Sequence, residues 1–338
     1  MKSALILGIT GQDGSYLLEH LLARDYAVHG LVRRASMFNR SRIDPARLAS
    51  PDRLTLHYGE LHDMTSFRRL LRTIKPDEIY HLAGQSHVGL SFEIPEVTCQ
   101  ENGMATLNLL ESVRDMDRPA RFYNASSSEI FGAPVASPQN EDTPLNPVNP
   151  YGCAKAFATQ LGRVYRQSYG LFICNGITYN HESPRRGENF VTRKITMAAA
   201  RIRAGLQSVL HLGNLDARRD WGYAKEYVEA MWLALQAESA DDYVLATGRA
   251  CSVRDFAAAA FAELGIEVVF EGEGAAEVGR RRDTGAVVIA VDPRYYRPVD
   301  STTLLGDASR AGAKLGWTAR TAAGDVARLM AAADAKLL

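Results

Sequence analysis

The chain is poor in cysteine and has no long hydrophobic run. Its 338 residues include four cysteines, which lie far apart, form no Cys-x-x-Cys pair and have no histidine at metal-ligand spacing. This usage predicts no metal site and is typical of buried thiols in a reducing compartment. No apolar stretch approaches the roughly 18 residues that a membrane span needs, and the N-terminal stretch ends at Gly8, too early for a signal peptide. We therefore expect a cytoplasmic protein that does not bind membranes.

The chain also lacks an excess of either charge. Lys and Arg total 39, Asp and Glu total 39, and the formal net charge is zero. A balanced surface does not produce the broad positive field that attracts nucleic acid, so we expect no nucleic-acid partner. The content of 46% hydrophobic and 23% charged residues excludes a disordered or fibrous chain. Any anionic ligand must therefore be bound by a local cluster of basic residues.

The first half of the chain alternates short apolar runs with amphipathic helical patterns. The runs that predict strands are Ala4–Leu7, Ala27–Val32, Leu54–Tyr58, Glu78–Leu82, Arg121–Ala125 and Leu171–Ile177. The patterns that predict helices are Tyr16–Ala23, Ser66–Ile74, Thr106–Met116 and Tyr151–Tyr169. This alternation predicts an α/β fold with a doubly wound parallel sheet, the Rossmann arrangement.

The pattern changes after residue 177. A polar, irregular stretch follows, and the later elements are shorter. They are helices at Val191–Ala204, at Ala224–Ala237 and from about Ala322, and a strand at Tyr243–Ala246. We predict a nucleotide-binding domain over residues 1–177, completed by parts of 214–250. A smaller α/β C-terminal domain over residues 178–338 would mainly bind the substrate.

A glycine-rich loop follows the first predicted strand. It reads Gly8-Ile9-Thr10-Gly11-Gln12-Asp13-Gly14 and leads into the first helix. Glycine lets the backbone approach a pyrophosphate, and the helix N-terminus supplies N–H donors to the phosphates. The spacing is Gly-x-x-Gly-x-x-Gly rather than the usual Gly-x-Gly-x-x-Gly, and three glycines would also suit an ordinary turn. The position of the loop at a strand–helix junction favours nucleotide binding.

The end of the second predicted strand indicates which dinucleotide binds. Folds that bind NAD usually place an acid there for the ribose 2′-hydroxyl, whereas arginine accommodates a 2′-phosphate. Here the strand ends in Val32-Arg33-Arg34-Ala35-Ser36, with no acid in reach. A solvated basic loop tip is the alternative interpretation. We predict that NADP binds, with Arg33, Arg34 and Ser36 near its 2′-phosphate.

Two further motifs carry catalytic side chains. Tyr151 and Lys155 lie at positions i and i+4, on one face of a predicted helix. A nearby ammonium, assisted by a nicotinamide ribose, would lower the pKa of the tyrosine and make it a usable base. The segment Ser126-Ser127-Ser128-Glu129 follows a predicted central strand, so its side chains should emerge at the carboxyl edge of the sheet, where ligands bind. An ordinary helix pair and a polar loop are the alternative interpretations of the two motifs taken separately.

In this order, the glycine loop, the serine-rich strand end and Tyr-x-x-x-Lys resemble the extended short-chain dehydrogenase/reductase superfamily. Longer stretches are similar to the GDP-mannose 4,6-dehydratase family within it, and the similarity runs from residue 3 to the C-terminus. These stretches are Gly8–Tyr16, Val32–Ile43, Gln85–Phe92, Asn180–Lys194, Leu212–Trp221 and Tyr227–Trp232. The block Asn180–Lys194 is the longest and most specific of them.

The resemblance implies an NADP-dependent sugar-nucleotide dehydratase that converts GDP-mannose into GDP-4-keto-6-deoxymannose. Tyr151, poised by Lys155, would take the proton of the sugar 4-hydroxyl during oxidation at C4. Ser127, which stands where the family has threonine, would hydrogen-bond the 4-oxygen. Glu129 would remove the C5 proton as the C6 hydroxyl departs, after which C6 is reduced. Glu129 is the most discriminating of these residues, because reductases and many epimerases of this superfamily perform no elimination.

The resemblance also assigns binding residues by position. Those implied around the cofactor are Gly8, Thr10, Gly11, Gln12, Asp13, Gly14, Glu60, Leu61, Leu82, Gln85, Ser86, Lys155, His181 and Arg186. Those implied around the sugar nucleotide are Asn180, Val191, Lys194, Gly213, Arg219 and Arg280. Arginine suits a diphosphate because its fork is bidentate and always charged, although a solvated face is an equal alternative for Arg280. The loop Arg33–Ile43 resembles one that packs subunits together, which implies a homotetramer or a homodimer.

Several positions differ from the family pattern. Val97 stands where a cofactor-contacting tyrosine is typical, Glu60 replaces an aspartate, and the segment Arg297–Thr302 departs from the usual ending. The last difference leaves the nucleotide base and the sugar open. The alternatives are a 4,6-dehydratase of another nucleoside-diphosphate hexose or heptose, a reductase or epimerase of the same fold, and a cofactor-sensing regulator without activity.

Overall fold

A seven-stranded parallel sheet forms the centre of the protein. The computed structural model describes residues 1–33, 40–295 and 304–338. The strands of the central sheet are β1 (Ser3–Leu7), β2 (Ala27–Val32), β3 (Leu54–Tyr58), β4 (Glu78–His81), β5 (Arg121–Ser127), β6 (Ile173–Thr178) and β10 (Asp242–Leu245). Their spatial order is β10-β6-β5-β4-β1-β2-β3, so the chain winds outward in both directions from the gap between β1 and β4. Ligands bind at such a switch point in doubly wound sheets.

Two smaller sheets lie in the second half of the chain. Their strands are β7 (Asn180–Glu182), β8 (Leu210–Leu212), β9 (Arg218–Tyr223), β11 (Ala250–Ser252), β12 (Val268–Glu271), β13 (Val278–Arg281) and β14 (Val287–Val291). One sheet has the order β11-β9-β7 and the other the order β12-β13-β14-β8. In the second of these, β14 pairs in parallel with β8, which brings distant parts of the chain together.

Twelve α-helices occur in the described part of the chain. They are α1 (Gln12–Leu22), α2 (Asp44–Ala49), α3 (Met64–Ile74), α4 (Val88–Glu93), α5 (Pro95–Cys99), α6 (Ala105–Arg114), α7 (Pro150–Tyr169), α8 (Val191–Arg203), α9 (Ala224–Gln236), α10 (Val253–Glu263), α11 (Ser309–Leu315) and α12 (Ala323–Ala335). A π-helical turn at Gln100–Met104 joins α5 to α6. Within the described ranges, no helix is long and apolar enough to cross a membrane.

Helices cover both faces of the central sheet, because successive side chains of a strand point to opposite faces. On one face Ala4 and Ile6 of β1 pack with α1 and α9 in a single buried cluster. On the other face Leu5 and Leu7 join a cluster formed by α3, α6 and α7. Burial on both faces explains why these strands read as short continuous apolar runs rather than as alternating ones.

A second core forms under the four-stranded sheet, between α8, α10 and α12. Alanines such as Ala199, Ala257 and Ala331 are fully buried there, and their small side chains allow the helices to pack closely. A buried polar contact joins α12 to α8: the Asp334 carboxylate accepts a hydrogen bond of 2.6 Å from Thr196 Oγ1 and lies 2.7 Å from Arg193 Nη2. The C-terminal helix therefore fixes the position of α8.

The predicted α/β fold with a doubly wound parallel sheet is confirmed. The predicted strands of the first half begin and end within about two residues of the observed ones. The first helix begins at Gln12 rather than at Tyr16, since Gly14 allows the helix to start inside the glycine loop. The strand β10 and the helix α9 lie within residues 214–250 and pack with the central sheet. The division at residue 177 stays a prediction.

Candidate active site

A cavity of about 1740 Å³ opens along the carboxyl edge of the central sheet. One side of it is formed by the loop Gly8–Gly14 and by the ends of β2 and β4. The other side is formed by β7, the start of α8 and the segment between β8 and β9. The cavity therefore lies at the switch point of the sheet and extends toward the second core.

The loop Gly8–Gly14 has no room for side chains at two of its glycines. Gly8 has a φ of +86°, and a Cβ there would lie 2.9 Å from the Ala83 nitrogen. A Cβ on Gly14 would lie 2.2 Å from the Gly8 carbonyl oxygen. Gly11 caps α1 without a side-chain acceptor, so the N–H groups of the first turn are not capped by it. The loop and this helix N-terminus form a cradle suited to phosphate groups.

Asp13 and His181 connect the two sides of the cavity. His181 Nε2 lies 2.8 Å from Asp13 Oδ2, and its Nδ1 lies 2.7 Å from the Tyr179 carbonyl oxygen. Burial alone would raise the pKa of Asp13, but the facing His181 brings it below its usual value. Burial alone would lower the pKa of His181, but the Asp13 carboxylate raises it. The pair therefore favours the charged form of both groups.

Ser127, Tyr151 and Lys155 come together at the end of β5. Ser127 is the last residue of β5, and α7 carries the other two side chains past it. Lys155 Nζ donates a 2.8 Å hydrogen bond to the Ala125 carbonyl oxygen and lies 5.7 Å from the centroid of the Tyr151 ring. All three side chains are buried and line the cavity.

The ionisation of Tyr151 and Lys155 is set by their burial. Burial raises the pKa of Tyr151 to about 12, and a hydrogen bond with Ser127 opposes part of that rise. Burial lowers the pKa of Lys155 to about 8. From the sequence we expect Lys155 and a nicotinamide ribose together to lower the pKa of Tyr151. The residues of the chain alone do not lower the pKa of Tyr151, because the burial of its hydroxyl raises the pKa by more than the neighbouring groups lower it.

Glu129 lies in a 3-10 turn, Ser128–Ile130, directly after β5. Its backbone N–H donates a 3.2 Å hydrogen bond to Ser127 Oγ, and the residue lines the cavity. Its negative charge contributes to the raised pKa of Tyr151, which lines the same cavity. Glu129 Oε2 accepts a 2.8 Å hydrogen bond from Asn149 Nδ2. A carboxylate, a hydroxyl, a phenol and an ammonium therefore share one wall of the cavity.

Basic side chains line the opposite part of the cavity. Lys194 of α8 lies with its Nζ 3.8 Å from the centroid of the Tyr295 ring, and Arg219 of β9 lines the same region. Arg186 lies between Glu182, whose Oε2 is 3.1 Å from its Nε, and the Phe190 ring, 3.6 Å from its Cζ. Gly213 leaves room for the Tyr295 backbone, since a Cβ there would lie 2.5 Å from the Tyr295 carbonyl oxygen.

Most of the residues assigned by sequence line this cavity. Those that the structure brings there are Gly8, Thr10, Gly11, Gln12, Asp13, Gly14, Arg33, Glu60, Leu61, Leu82, Ser86, Ser127, Glu129, Tyr151, Lys155, Asn180, His181, Arg186, Val191, Lys194, Gly213 and Arg219. Arg34 and Ser36 lie outside the described residues.

Two assigned residues do not line the cavity. Arg280 lies on β13, where its guanidinium contacts Glu271 Oε2 at 3.0 Å and the Gly285 carbonyl oxygen at 3.1 Å. These contacts fit the solvated face that the sequence analysis gave as the alternative. Gln85 turns its amide to the His87 carbonyl oxygen, at 2.7 Å.

The cavity also contains residues that the sequence analysis did not assign. They include Arg42, Arg185, Phe190, Trp221, Arg294 and Tyr295. Arg185 could have been assigned from the sequence, since it belongs to the specific block Asn180–Lys194. Its Nη1 donates a 3.1 Å hydrogen bond to Ser15 Oγ. Tyr295 gave no local signal, because the pairing of β14 with β8 is what brings it to Gly213.

The parallel sheet, the glycine cradle and the Ser127–Tyr151–Lys155 group define a Rossmann-fold protein of the extended short-chain dehydrogenase/reductase class. Solved structures share this fold. A UDP-glucose 4-epimerase from Thermotoga maritima has a TM-score of 0.81 at 22% identity and covers 99% of each chain. A dTDP-glucose 4,6-dehydratase from Streptomyces venezuelae has a TM-score of 0.80 at 22% identity, covering 98% of this chain and 96% of the other.

Sequence comparisons narrow the class. A family model described as GDP-mannose 4,6 dehydratase matches residues 5–330. The GDP-mannose 4,6 dehydratase of Drosophila melanogaster is 48% identical and covers 100% of this chain and 87% of that protein. The GDP-mannose 4,6 dehydratase of Homo sapiens is 47% identical, with coverage of 99% and 92%. The chain therefore belongs to the GDP-mannose 4,6-dehydratase family, and the resemblance seen in the sequence is confirmed.

Proposed function

We propose that the chain is an NADP-dependent dehydratase that converts GDP-mannose into GDP-4-keto-6-deoxymannose and water. The observation that carries this proposal is the position of Glu129. Its carboxylate lines the same cavity as Ser127, Tyr151 and Lys155, within a chain that matches the family over residues 5–330. A carboxylate at this place supplies the base that an elimination needs and that a simple reduction does not.

The glycine cradle fits a dinucleotide cofactor. A Cβ at Gly8 would collide with the backbone after β4, and a Cβ at Gly14 would collide with the Gly8 carbonyl oxygen. Glycine at both positions therefore lets the loop turn tightly and bring its backbone and the N-terminus of α1 to one place, which suits a pyrophosphate. Gln12 Nε2 holds the loop to the far side of the cavity through the His181 carbonyl oxygen, at 2.9 Å. When bound, the nicotinamide supplies a positively charged ring and the two-electron chemistry that oxidises sugar C4 and later reduces C6.

Arg33 supports NADP rather than NAD. Its side chain is 73% exposed at the end of β2, lines the cavity, and lies 3.9 Å from Glu101. An exposed guanidinium at this position accommodates a 2′-phosphate, and residues 33–43, which follow β2, include no acid. We expect Arg33→Asp to lose the preference for NADP, because it replaces the cation by an acid suited to a 2′-hydroxyl. Chromatography of the nucleotide released from denatured protein checks this; wild-type protein that releases NAD(H) without NADP(H) would contradict it.

The basic side chains opposite the cradle suit the diphosphate of the substrate. Lys194 and Arg219 line the cavity on that side, and each can donate charge-assisted hydrogen bonds to phosphate oxygens. Asn180, Val191 and Gly213 line the same part and would surround the rest of the sugar nucleotide.

Ser127, Tyr151 and Lys155 act at the 4-position. Tyr151, ionised to the phenolate, accepts the proton of the sugar 4-hydroxyl, and Ser127 hydrogen-bonds the 4-oxygen and holds it beside the tyrosine oxygen. Because burial raises the pKa of Tyr151 to about 12, the phenol needs positive charge nearby to act as a base. Lys155, fixed by its hydrogen bond to Ala125, is the positively charged side chain that α7 places there. With these groups the proton leaves the 4-hydroxyl as C4 becomes a ketone.

Glu129 acts at the 5-position. The 4-ketone makes the C5 hydrogen acidic, and the Glu129 carboxylate removes it as a proton. The electron pair of the C5–H bond forms the C5=C6 double bond, and the C6–O bond breaks. The departing oxygen takes the proton from Glu129 and leaves as water. Reduction at C6 and protonation at C5 then complete the product, so that no net oxidant or reductant is consumed.

Incubation with GDP-mannose and no added reductant tests this function. We expect the mass of the sugar nucleotide to fall by one water, with solvent deuterium appearing at C5. Loss of water from another nucleoside-diphosphate sugar alone would show that the reaction is right and the substrate wrong. Reduction or epimerisation without loss of water, or an unchanged sugar, would overturn the proposal.

A homodimer or homotetramer is the proposed assembly. Most of the loop that implied it lies outside the described residues, but the helices α4, α5 and α7 leave apolar side chains exposed. They are Phe92, Val97, Phe157 and Val164. An apolar set of this kind is typical of a subunit contact. Light scattering on the purified chain measures the assembly, and a monomer at all concentrations would contradict it.

A further inference from the structure

We propose that Asn149 positions Glu129 for removal of the C5 proton by tying its carboxylate to the first turn of α7. This inference rests on the proposed function and deepens it. Asn149 does not line the cavity and is 7% exposed, so it acts through Glu129 rather than on the substrate.

The amide of Asn149 bridges two elements of the site. Asn149 Oδ1 accepts a 2.8 Å hydrogen bond from the Gly152 N–H, which caps α7, and Asn149 Nδ2 donates a 2.8 Å hydrogen bond to Glu129 Oε2. A backbone N–H can only donate, so the atom that meets Gly152 must be the amide oxygen. The orientation of the amide follows, and its NH2 group necessarily faces the carboxylate.

The backbone reinforces this bridge. A Cβ on Gly152 would lie 2.5 Å from the Glu129 carbonyl oxygen, so the first turn of α7 rests directly on the turn that carries Glu129. Tyr151 lies within that first turn, and Lys155 is one turn further on. The residue that caps this helix therefore also sets the distance between the base at C5 and the base at C4.

Glu129 depends on this contact for its orientation. In the ranges 1–33, 40–295 and 304–338, Asn149 is the one side chain that donates a hydrogen bond to the Glu129 carboxylate. A glutamate has three rotatable bonds, and a misplacement of about 1 Å of a reacting group can cost on the order of 10²-fold in rate. An anchored Oε2 leaves the carboxylate with one defined direction toward the cavity.

Asparagine can both cap α7 through its side-chain oxygen and donate a hydrogen bond to Glu129 through its NH2 group, which other capping residues cannot do together. Serine also caps helices well, but it has one side-chain oxygen and no amide to donate to Glu129. Aspartate caps well too, but it would place a second negative charge against the Glu129 carboxylate. Asn149→Ser therefore removes the contact with Glu129 and keeps the cap, and Asn149→Asp replaces that contact by repulsion.

We expect Asn149→Ser to separate two partial reactions. Oxidation at C4 should continue, because Tyr151, Ser127 and Lys155 are unchanged, and reduced cofactor should appear at the wild-type rate. Exchange of the C5 hydrogen with deuterated solvent and kcat should both fall, on the order of 10- to 10²-fold. KM and the melting temperature should stay close to those of the wild type. Asn149→Asp should fall further in C5 exchange, and the repulsion between its carboxylate and that of Glu129 should also lower its melting temperature, so the comparison of melting temperatures rests on Asn149→Ser.

A double-mutant cycle with Glu129→Gln makes the test specific. If Asn149 acts through Glu129, Asn149→Ser should cause no further loss of C5 exchange in the Glu129→Gln protein. A matched control is Asn146→Ser in the same loop, where the exposed Asn146 donates to the Ala133 carbonyl oxygen and does not contact Glu129. That control should leave C5 exchange unchanged.

Three outcomes would overturn the inference. The first is an Asn149→Ser protein that exchanges C5 at the wild-type rate, and the second is losses that multiply in the double variant. The third is a loss of C4 oxidation, C5 exchange and melting temperature together, which would make Asn149 a structural cap only. Failure of the proposed function is recognised separately, since wild-type protein would then release no water from GDP-mannose.

Discussion

The two sides of the cavity are built by different means. The cofactor side relies on backbone: one stretch, Gly8–Gly14, supplies the cradle, and its shape depends on the absence of side chains. The other side, where we propose that the substrate binds and which we call the substrate side, relies on side chains from separate elements, such as Lys194 on α8 and Arg219 on β9. Its geometry therefore depends on the packing of a second core rather than on one local motif. A substitution should act on folding and cofactor retention on the first side, and on affinity for substrate on the second.

Glu129 lines the same cavity in the turn after β5, and its loss should have the largest effect. We expect Glu129→Gln to keep both ligands bound, because the shape is nearly preserved, and to slow dehydration by about 10²- to 10⁴-fold through the loss of a positioned base. Product formation and deuterium exchange at C5 measure this. Glu263→Gln, an exposed change on α10, serves as the control. Native turnover with normal exchange in the Glu129 variant would assign the base to another residue.

Gly14→Ala tests the backbone character of the cofactor side. The added methyl would lie 2.2 Å from the Gly8 carbonyl oxygen, so the loop must shift, at a cost of roughly 1–3 kcal/mol. We expect a lower melting temperature and loss of bound nucleotide on purification. Gly324→Ala in α12 is the matched change, since its nearest neighbouring atom would be 3.8 Å away and the variant should be no less stable. If Gly14→Ala keeps its nucleotide and its stability, the cradle does not require glycine.

Lys194→Gln tests the side-chain character of the substrate side. Removing one charged donor to a diphosphate should raise KM by about 10- to 10²-fold, the scale of 1.5–3 kcal/mol for a hydrogen bond to a charged group. kcat and bound cofactor should change little. Lys225→Gln, on the exposed side of α9, is the control. A Lys194 variant with an unchanged KM and a reduced kcat would place this ammonium at the reacting centre instead.

Asp13→Asn tests the pair that joins the two sides, and its effect should be the smallest and depend on pH. The pKa of His181 is raised above 6.5 in the folded chain, so its contribution to stability is complete below pH 6.5 and lost as the pH rises through the folded pKa. The pKa of Asp13 is lowered below 3.8, so its contribution is complete above pH 3.8 and lost as the pH falls through the folded pKa.

The pair therefore contributes most between pH 3.8 and pH 6.5. Thermal unfolding of the wild type and Asp13→Asn across pH checks this. The difference in melting temperature should be greatest inside that window and should narrow well above it. A difference that does not vary with pH would show that the two side chains stabilise the fold by packing alone.

The same contrast explains how much the sequence could predict. The cofactor side was predictable because its signal is local: each buried strand reads as an apolar run, and the glycines stand together. Ser127 and Glu129 were predictable because β5 ends beside them and the family resemblance gave them roles. The pairing of β14 with β8, which brings Tyr295 next to Gly213, joins segments far apart in sequence and leaves no local pattern.

The position of individual polar side chains was equally hard to predict from the sequence. Arg219 and Arg280 look alike in sequence, yet β9 carries Arg219 into the cavity while Arg280 on β13 faces Glu271. Asn149 precedes Pro150 and reads as an ordinary helix cap, so its second contact is visible only in the fold. What the sequence could not predict is the set of contacts between elements that pack after the local structure has formed.

The contact between Asp334 and α8 affects the order in which the two parts of the cavity form during translation. A ribosome makes residues 1–178, with the glycine loop and six strands of the central sheet, long before residue 334 emerges. Asp334 then holds Arg193 and Thr196, on either side of Lys194 in the sequence. We therefore expect the nascent chain to gain its dinucleotide cradle first and its hold on the sugar nucleotide last. We expect a chain truncated within α12 to bind the cofactor but not to catalyse the reaction.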